Sequence, residues 1–329
     1  MINRVLLYNS GGGIGDSIQL LPLIETLKSV LKNVDFYYLS AHQNYFNSTL
    51  KDFNCKIKTL DLGIKYFGFR WWQALIVKKK IINLNIKKFD LIIDLQSKVR
   101  NTLILKMIPC VNFISPCFNF KLSSLPIKIT KGNQIYKDVL EAFNIMYKKK
   151  LELKNYDILK IDNSFFLESK KLLPGTGYVG FSITQGNVYR KKRWPLENII
   201  NLSNILIRNN KIPVFLIEKT NTNLINKIKK LLPGALFPEN NSDLSSPALV
   251  TCLGKRLELA ITIDNGIMHL LSLSNVPMIS LFGPTDPEKF SPKYKNSIVL
   301  DSKKIYKTKD ISSITVEDVL KEVKQYLNF

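Results

Sequence analysis

The sequence predicts an α/β protein built from two doubly wound domains. Three observations carry that prediction. Short apolar runs alternate with segments of helical periodicity, the alternation occurs in two series, and a polar stretch separates the series. A length of 329 residues is also more than one core usually serves.

Residues 4–8 read as the first strand and residues 16–31 as a helix with an apolar stripe. Residues 34–39 and 89–94 read as further strands. Leu91, Ile92 and Ile93 form a continuous apolar run, as expected of a strand covered on both faces by helices. Beyond Lys148, Lys149 and Lys150 the pattern turns polar, which puts a boundary within residues 155–166 and domains at 1–160 and 161–329. The second series follows: strands at 178–183, 212–217, 259–263 and 276–282, and helices at 196–209 and 221–232. A last helix spans about 316–327. Thr315 and Asp318 form a capping box at its start, and Val316, Val319, Leu320 and Val323 form its apolar face.

The formal charge is +22, and most of the excess is lysine. Nucleic-acid readers lean on arginine for bidentate contacts, so the composition argues against a nucleic-acid partner. Much of the lysine sits beside asparagine and isoleucine, as compositional drift would leave it. Whatever its origin, a chain this basic is drawn to anionic lipid or a phosphorylated glycolipid. The four cysteines are scattered, with no C-x-x-C pair, which fits reduced thiols in a cytoplasm. Residues 2–8 meet glycines at once and read as a strand, not a leader. Residues 103–120, the most apolar longer stretch, carry Lys106, Pro109, Asn112 and Pro116, so no membrane span is expected there.

Several motifs could carry chemistry. Gly11-Gly12-Gly13-Ile14-Gly15-Asp16 follows the first strand. Gly11 and Gly13 fit a dinucleotide-binding loop, but Asp16 stands where the third glycine belongs, and its carboxylate would oppose a pyrophosphate. Two readings remain. Asp16 caps the helix, or the glycines admit another molecule whose hydroxyl gives Asp16 its proton. Lys191-Lys192-Arg193-Trp194-Pro195 precedes a helix and suits either a diphosphate or plain solvation. In Asp264-Asn265-Gly266-Ile267-Met268-His269-Leu270 a strand ends, a tight turn follows, and a helix opens near Met268. His269, with His42 one of only two histidines, either meets a phosphate or sugar hydroxyl or fills the turn. Leu281-Phe282-Gly283-Pro284-Thr285 ends the next strand, and two such neighbouring ends make a ligand crevice. Tyr66, Phe67, Phe69, Trp71 and Trp72, followed by Lys78-Lys79-Lys80, are expected to be buried in the first domain, with a membrane interface, or a mixture of the two, as the alternatives. There is no D-x-D, G-x-S-x-G or H-E-x-x-H.

Together these motifs resemble the ADP-heptose:lipopolysaccharide heptosyltransferases, glycosyltransferase family 9, over nearly the whole chain. The resemblance is carried by Gly15-Asp16 with Pro22, by Asp90-Leu91-Ile92-Ile93-Asp94-Leu95-Gln96 with Arg100, and by Lys192-Arg193-Trp194-Pro195. The longest part is Asp264 to Leu270 followed by Pro277 and Leu281-Phe282-Gly283-Pro284-Thr285. It implies a GT-B fold: two Rossmann-like domains facing across a cleft, the first for the acceptor and the second for the nucleotide sugar. The final helix is then expected to pack back on the first domain.

The implied activity is inverting, metal-independent transfer of heptose from ADP-heptose to a lipopolysaccharide inner-core sugar. The implied partners are a nucleotide sugar and an anionic glycolipid, with no cofactor, in a cytoplasmic enzyme peripheral to the inner membrane. The resemblance makes Asp16 the general base and Lys192 the group that stabilises the leaving diphosphate. It assigns Asp264, Gly266, Met268, His269, Gly283, Thr285 and Glu218 to the donor, and Gly13, Gly15, Gln96 and Arg100 to the acceptor. This chain departs from the family pattern at Asn265, where Ser or Thr is usual, and after residue 217, where a glycine-containing loop is usual. Rival readings are another nucleotide sugar or glycan, a sugar-nucleotide epimerase or hydrolase, and a non-catalytic binder.

Overall fold

Continuous apolar runs form two separate parallel sheets in a computed structural model of the chain. The structure describes every residue except Met1, Gly12, His42, Lys131, Asn133, Asn187, Asn328, Phe329 and the side chain of Val188. Gly12 and His42, named among the motifs, thus lie outside the described residues. The chain divides into two units, Met1–Asp157 and Ile158–Phe329.

The first unit contains β1 (Arg4–Asn9), β2 (Asp35–Ser40), β3 (Lys58–Thr59), β4 (Phe89–Asp94) and β5 (Cys110–Ile114), ordered β3-β2-β1-β4-β5. Its helices are α1 (Ile14–Ile18), α2 (Leu21–Val30), α3 (Gln73–Asn83), α4 (Val99–Leu105) and α5 (Ile135–Tyr147). The strand order reverses between β1 and β4, where Tyr8 pairs with Asp94 in register. A single helix was expected over 16–31, but the chain breaks between α1 and α2. Pro22 has no N–H, and its ring would strike the carbonyl four residues back, so it is accommodated only in the first turn of α2.

The second unit contains β6 (Tyr178–Ser182), β7 (Ile212–Phe215), β8 (Leu259–Ile263), β9 (Met278–Phe282) and β10 (Ser297–Asp301), ordered β10-β9-β8-β6-β7. Its helices are α6 (Asn163–Leu172), α7 (Leu196–Arg208), α8 (Thr222–Leu231), α9 (Pro247–Gly254), α10 (Gly266–Leu273), α11 (Pro287–Phe290), α12 (Ser302–Ile305) and α13 (Val316–Val323). Every residue of β6, β8 and β9 is buried, as a sheet covered on both faces requires. Phe181, Phe215 and Phe237 stack in succession, with centroids 5.2 and 5.5 Å apart. A fully buried side chain of this kind contributes about 1.5–3 kcal/mol.

The capping box of the last helix forms: Asp318 N donates to Thr315 Oγ1 at 3.1 Å, and Thr315 N donates to Asp318 Oδ2 at 2.9 Å. Within the second unit the helix packs its apolar face on the sheet and on its neighbouring helix. Val319 and Val323 enter the same apolar cluster as Leu202 and Leu206 of α7 and Ile279 and Leu281 of β9. Trp194 Nε1 donates to Ile314 O at 2.8 Å and fixes the approach to the helix.

Candidate functional site

In an open parallel sheet, ligands bind outside the carboxyl ends of the strands where the strand order reverses. In the first unit that point lies between β1 and β4. The loops leaving both strands carry motif residues, and Asn9 joins them. Asn9 Oδ1 accepts from Gln96 Nε2 at 2.8 Å and from Gly11 N at 2.9 Å, while Asn9 Nδ2 donates to Asp16 O at 3.4 Å. Gly13 N donates to Asp16 Oδ2 at 3.1 Å, so Asp16 does cap α1 from its first turn. The same carboxyl group lies directly over Gly11. A Cβ on residue 11 would come within 2.6 Å of Asp16 Cγ. One reason for the glycine is therefore internal: it makes room for Asp16. Gly15 sits inside α1 beside it.

Behind this loop, Asp94 at the end of β4 is fully buried. It accepts from Thr102 Oγ1 at 2.6 Å, Ser115 Oγ at 2.8 Å and Gln96 N at 2.9 Å. Burial nonetheless pushes its carboxyl up to about 7. Arg100 is partly buried and its Nε donates to Gly68 O at 2.9 Å, tying α4 to the loop before α3. Sequence reading gave Asn9 no role and treated Asp94 only as part of a longer motif. Their contacts depend on strand register, which has no local signature.

In the second unit the order reverses between β6 and β8. Lys192 Nζ forms an ion pair with Asp264 Oδ2 and also donates to Asp264 O at 3.2 Å. Both side chains are largely buried, at 12% and 8% exposure. Lys191 and Arg193 are exposed, so of the three cations only Lys192 turns inward. Lys191, directly before Lys192, adopts a left-handed φ of 44°, an uncommon conformation for a residue with a Cβ. Lys192 N donates to Gln185 Oε1 at 2.7 Å, and Trp194 is anchored in the core. The motif thus holds one inward-turned lysine between its anchors.

Asn265 explains its own departure from the family pattern. Its Oδ1 accepts from Met268 N at 2.9 Å and caps α10, while Nδ2 donates to Ser182 Oγ at 2.7 Å and Thr184 O at 2.8 Å. A hydroxyl could cap the helix but could not also donate twice to the β6 end. The helix therefore begins at Gly266 and not near Met268 as expected. Its first turn presents backbone N–H groups at the carboxyl end of the sheet. His269 is largely buried in that turn, and its carbonyl accepts from Ser272 Oγ at 2.7 Å. Met268 is accounted for by packing: its side chain is fully buried and its amide is used by the cap. Gly283 has a packing reason too, since a Cβ there would lie 2.9 Å from Ile311 Cβ and Lys309 O.

Thr285 lies past the end of β9. Its carbonyl accepts from Lys303 Nζ, and its buried Oγ1 has no hydrogen-bond partner. Glu218, exposed past β7, raises the pKa of buried Glu239, whose carboxyl is pushed up to about 7 mainly by burial. No motif marks Glu239 or Lys303, and both were missed. Among the described residues no cluster of three or more His, Cys, Asp or Glu side chains is grouped to hold a metal ion.

The profile of "Glycosyltransferase family 9 (heptosyltransferase)" matches residues 78–320. Lipopolysaccharide heptosyltransferase 1 of Campylobacter coli is 23% identical, with 95% of this chain and 96% of that protein aligned. The crystal structure of the glycosyl transferase family 9 from Veillonella parvula superposes with a TM-score of 0.68 at 19% identity, covering 98% of this chain and 97% of the other. E. coli heptosyltransferase WaaC with ADP gives 0.68 at 16% identity, covering 98% and 100%. The two parallel five-stranded sheets match those structures, so the fold is the GT-B fold the motifs implied.

Proposed function

We propose a specific reaction for this chain, which belongs to glycosyltransferase family 9 and is a glycosyltransferase: transfer of heptose from ADP-heptose to an inner-core sugar of lipopolysaccharide. The observation that carries the proposal is the Lys192–Asp264 pair at the strand-order reversal of the second sheet, beside the N-terminus of α10. A lysine held there by a carboxylate has its charge directed at the crevice, where a diphosphate also meets backbone N–H groups. Support for the donor and acceptor comes from the Campylobacter coli relative and from WaaC, which was solved with ADP and with ADP-2-deoxy-2-fluoro heptose.

In the proposed step the acceptor oxygen attacks the anomeric carbon on the face opposite the diphosphate. The new carbon–oxygen bond forms as the bond to the phosphate oxygen breaks, and the configuration inverts. The electron pair leaves with ADP, whose new negative charge Lys192 stabilises. The acceptor hydroxyl proton passes to Asp16. Asp264 orients Lys192, and Thr285, with an unpartnered buried hydroxyl, supplies a hydrogen bond to the donor. Gly266, His269 and Glu218 complete the donor side; Gly13, Gly15, Gln96 and Arg100 serve the acceptor side. No metal is assigned a role, because Lys192 and the helix N-terminus supply the positive field. The enzyme works at the cytoplasmic face of the inner membrane on an anionic glycolipid. No helix among the described residues is long and apolar enough to cross a membrane.

A thermal-shift panel of nucleotide sugars tests the donor. ADP-heptose is expected to give the largest stabilisation. A larger shift with a UDP- or GDP-sugar would replace the heptosyl reading with transfer of another sugar.

A further inference from the structure

We infer that α3 and the loop before it form a docking surface for an anionic lipid bilayer. Burial of the aromatic run was expected, with a mixture of burial and membrane interface left open, and the structure splits it. Phe67 is fully buried, whereas Trp71 and Trp72 are each 58% exposed. Along the helix Leu75 is 73% and Ile82 70% exposed. Trp72, Leu75, Lys79 and Ile82 are spaced by three, four and three residues, which aligns them on one helix face. Val77 and Gln73, on the other side, are buried. A surface helix normally turns its apolar stripe inward. This one buries a narrow stripe and leaves its largest apolar side chains outside.

That exposure is built in. Tyr8 OH donates to Phe67 O at 2.8 Å, and Gln73 Nε2 donates to Lys65 O and Tyr66 O at 3.1 and 3.2 Å. Gly68 adopts a φ of +85° in close contact with Tyr8, so the loop is pinned to the end of β1 with both indoles outward. The charge pattern identifies the occupant. Every charged residue between Asp61 and Asp90 is Lys or Arg, and Arg70, Lys78 and Lys79 are exposed in the same segment as the indoles. Indoles and branched aliphatics flanked by cations with no carboxylate fit the interface of a membrane carrying negative headgroups. A protein partner of acidic character would meet the lysines but leave the protruding indoles without the apolar layer they suit. The surface also adjoins the proposed acceptor end of the first sheet, because Arg100 Nε holds Gly68 O. The inference deepens the proposed function by naming what brings a lipid-linked acceptor to that end. It is tested without substrate, so it can fail while the transfer reading stands, and the reverse.

The experiment is cosedimentation of the full chain with vesicles of phosphatidylcholine alone or mixed with phosphatidylglycerol. Binding is expected only to the mixed vesicles and is expected to fall with added salt. Trp72→Ser with Leu75→Ser, and separately Lys78→Glu with Lys79→Glu, should each weaken binding by about tenfold or more. Should a variant fold poorly, the wild type supplies a second readout. Of its three tryptophans Trp194 is buried, so brominated lipid in the vesicles should quench Trp71 and Trp72 selectively. Absence of binding to the mixed vesicles, or binding with no quenching, overturns the inference. So does a chain that dimerises in solution through these residues, with the serine variants monomeric and still vesicle-bound.

Discussion

The carboxylate of Asp16 occupies the space that a side chain on residue 11 would need. A Cβ on Gly11 would lie 2.6 Å from Asp16 Cγ and 2.8 Å from Oδ2. The position of Asp16 therefore depends on a residue five positions earlier that carries no chemistry of its own. Gly11→Ala is expected to push the carboxylate aside and lower kcat by about a hundredfold, as an ångström-scale misplacement of a reacting group does. Donor binding should be unchanged, because the residues proposed for the donor belong to the other unit. Normal turnover in G11A would show that the placement of Asp16 does not matter to the reaction.

Asp16→Asn keeps the shape and a carbonyl oxygen to accept from Gly13 N, but it cannot take a proton at neutral pH. Transfer should fall by about 10²–10⁴-fold with the thermal shift given by donor retained. Equal losses in D16N and in the unfolding midpoint would assign Asp16 to helix capping alone.

Lys192 and Asp264 should separate in kinetics. Lys192→Ala removes the charge proposed to meet the diphosphate and leaves Asp264 buried without its partner. We expect kcat to fall by about 10²–10³-fold and KM for the donor to rise. Asp264→Asn leaves the lysine in place but loosely held, so its loss should be smaller. A D264N loss matching that of K192A would mean that Asp264 contacts the donor directly.

Asn265→Ala removes the cap of α10 and both ties to the β6 end. Loss of the cap alone costs about 1 kcal/mol, and the two further hydrogen bonds add to it. Asn265→Ser should recover the cap but not the ties to Ser182 and Thr184. Chemical denaturation of the three proteins orders them wild type, N265S, N265A. Equal stability of N265S and wild type would leave the two ties without weight.

Asp94 should make stability pH-dependent. Its ordinary value is 3.8 and burial pushes it up to about 7 in the folded chain. Between those values the folded state holds a proton that the unfolded state has lost. The contribution is full below 3.8 and is lost as pH rises through about 7. Asp94→Asn should therefore flatten the fall in unfolding midpoint between pH values of about 3.8 and about 7. An unaltered slope in D94N would place the titration elsewhere, with Glu239 the next candidate.

Much of the architecture is legible in local pattern. The apolar runs that became β1, β4, β6, β8 and β9, the capping box at Thr315, and Pro22 as the motif's fixed proline were all visible in the sequence. Pro22 also marked the break between α1 and α2, which the longer apolar stripe concealed. The longest motif pointing to the family, Asp264 to Thr285, lies within the matched residues 78–320 and was legible as turn, cap and strand-end residues in order.

Tertiary structure alone decided how those residues are used. Lys192 and Asp264 meet because β6 and β8 are neighbours in the sheet, and strand order leaves no trace in the residues of either strand. The same applies to Asn9 with Gln96 across β1 and β4. Hydropathy could not distinguish Phe67 from Trp71, because burial depends on which way a pinned loop faces and not on how apolar its residues are. The last helix showed its apolar stripe in the sequence, but the surface that receives it belongs to α7 and β9, and only packing could select it. Periodicity and short motifs record what a segment prefers locally. Pairings across sequence separations of many tens of residues arise from strand register and side-chain packing, which exist only once the chain has folded.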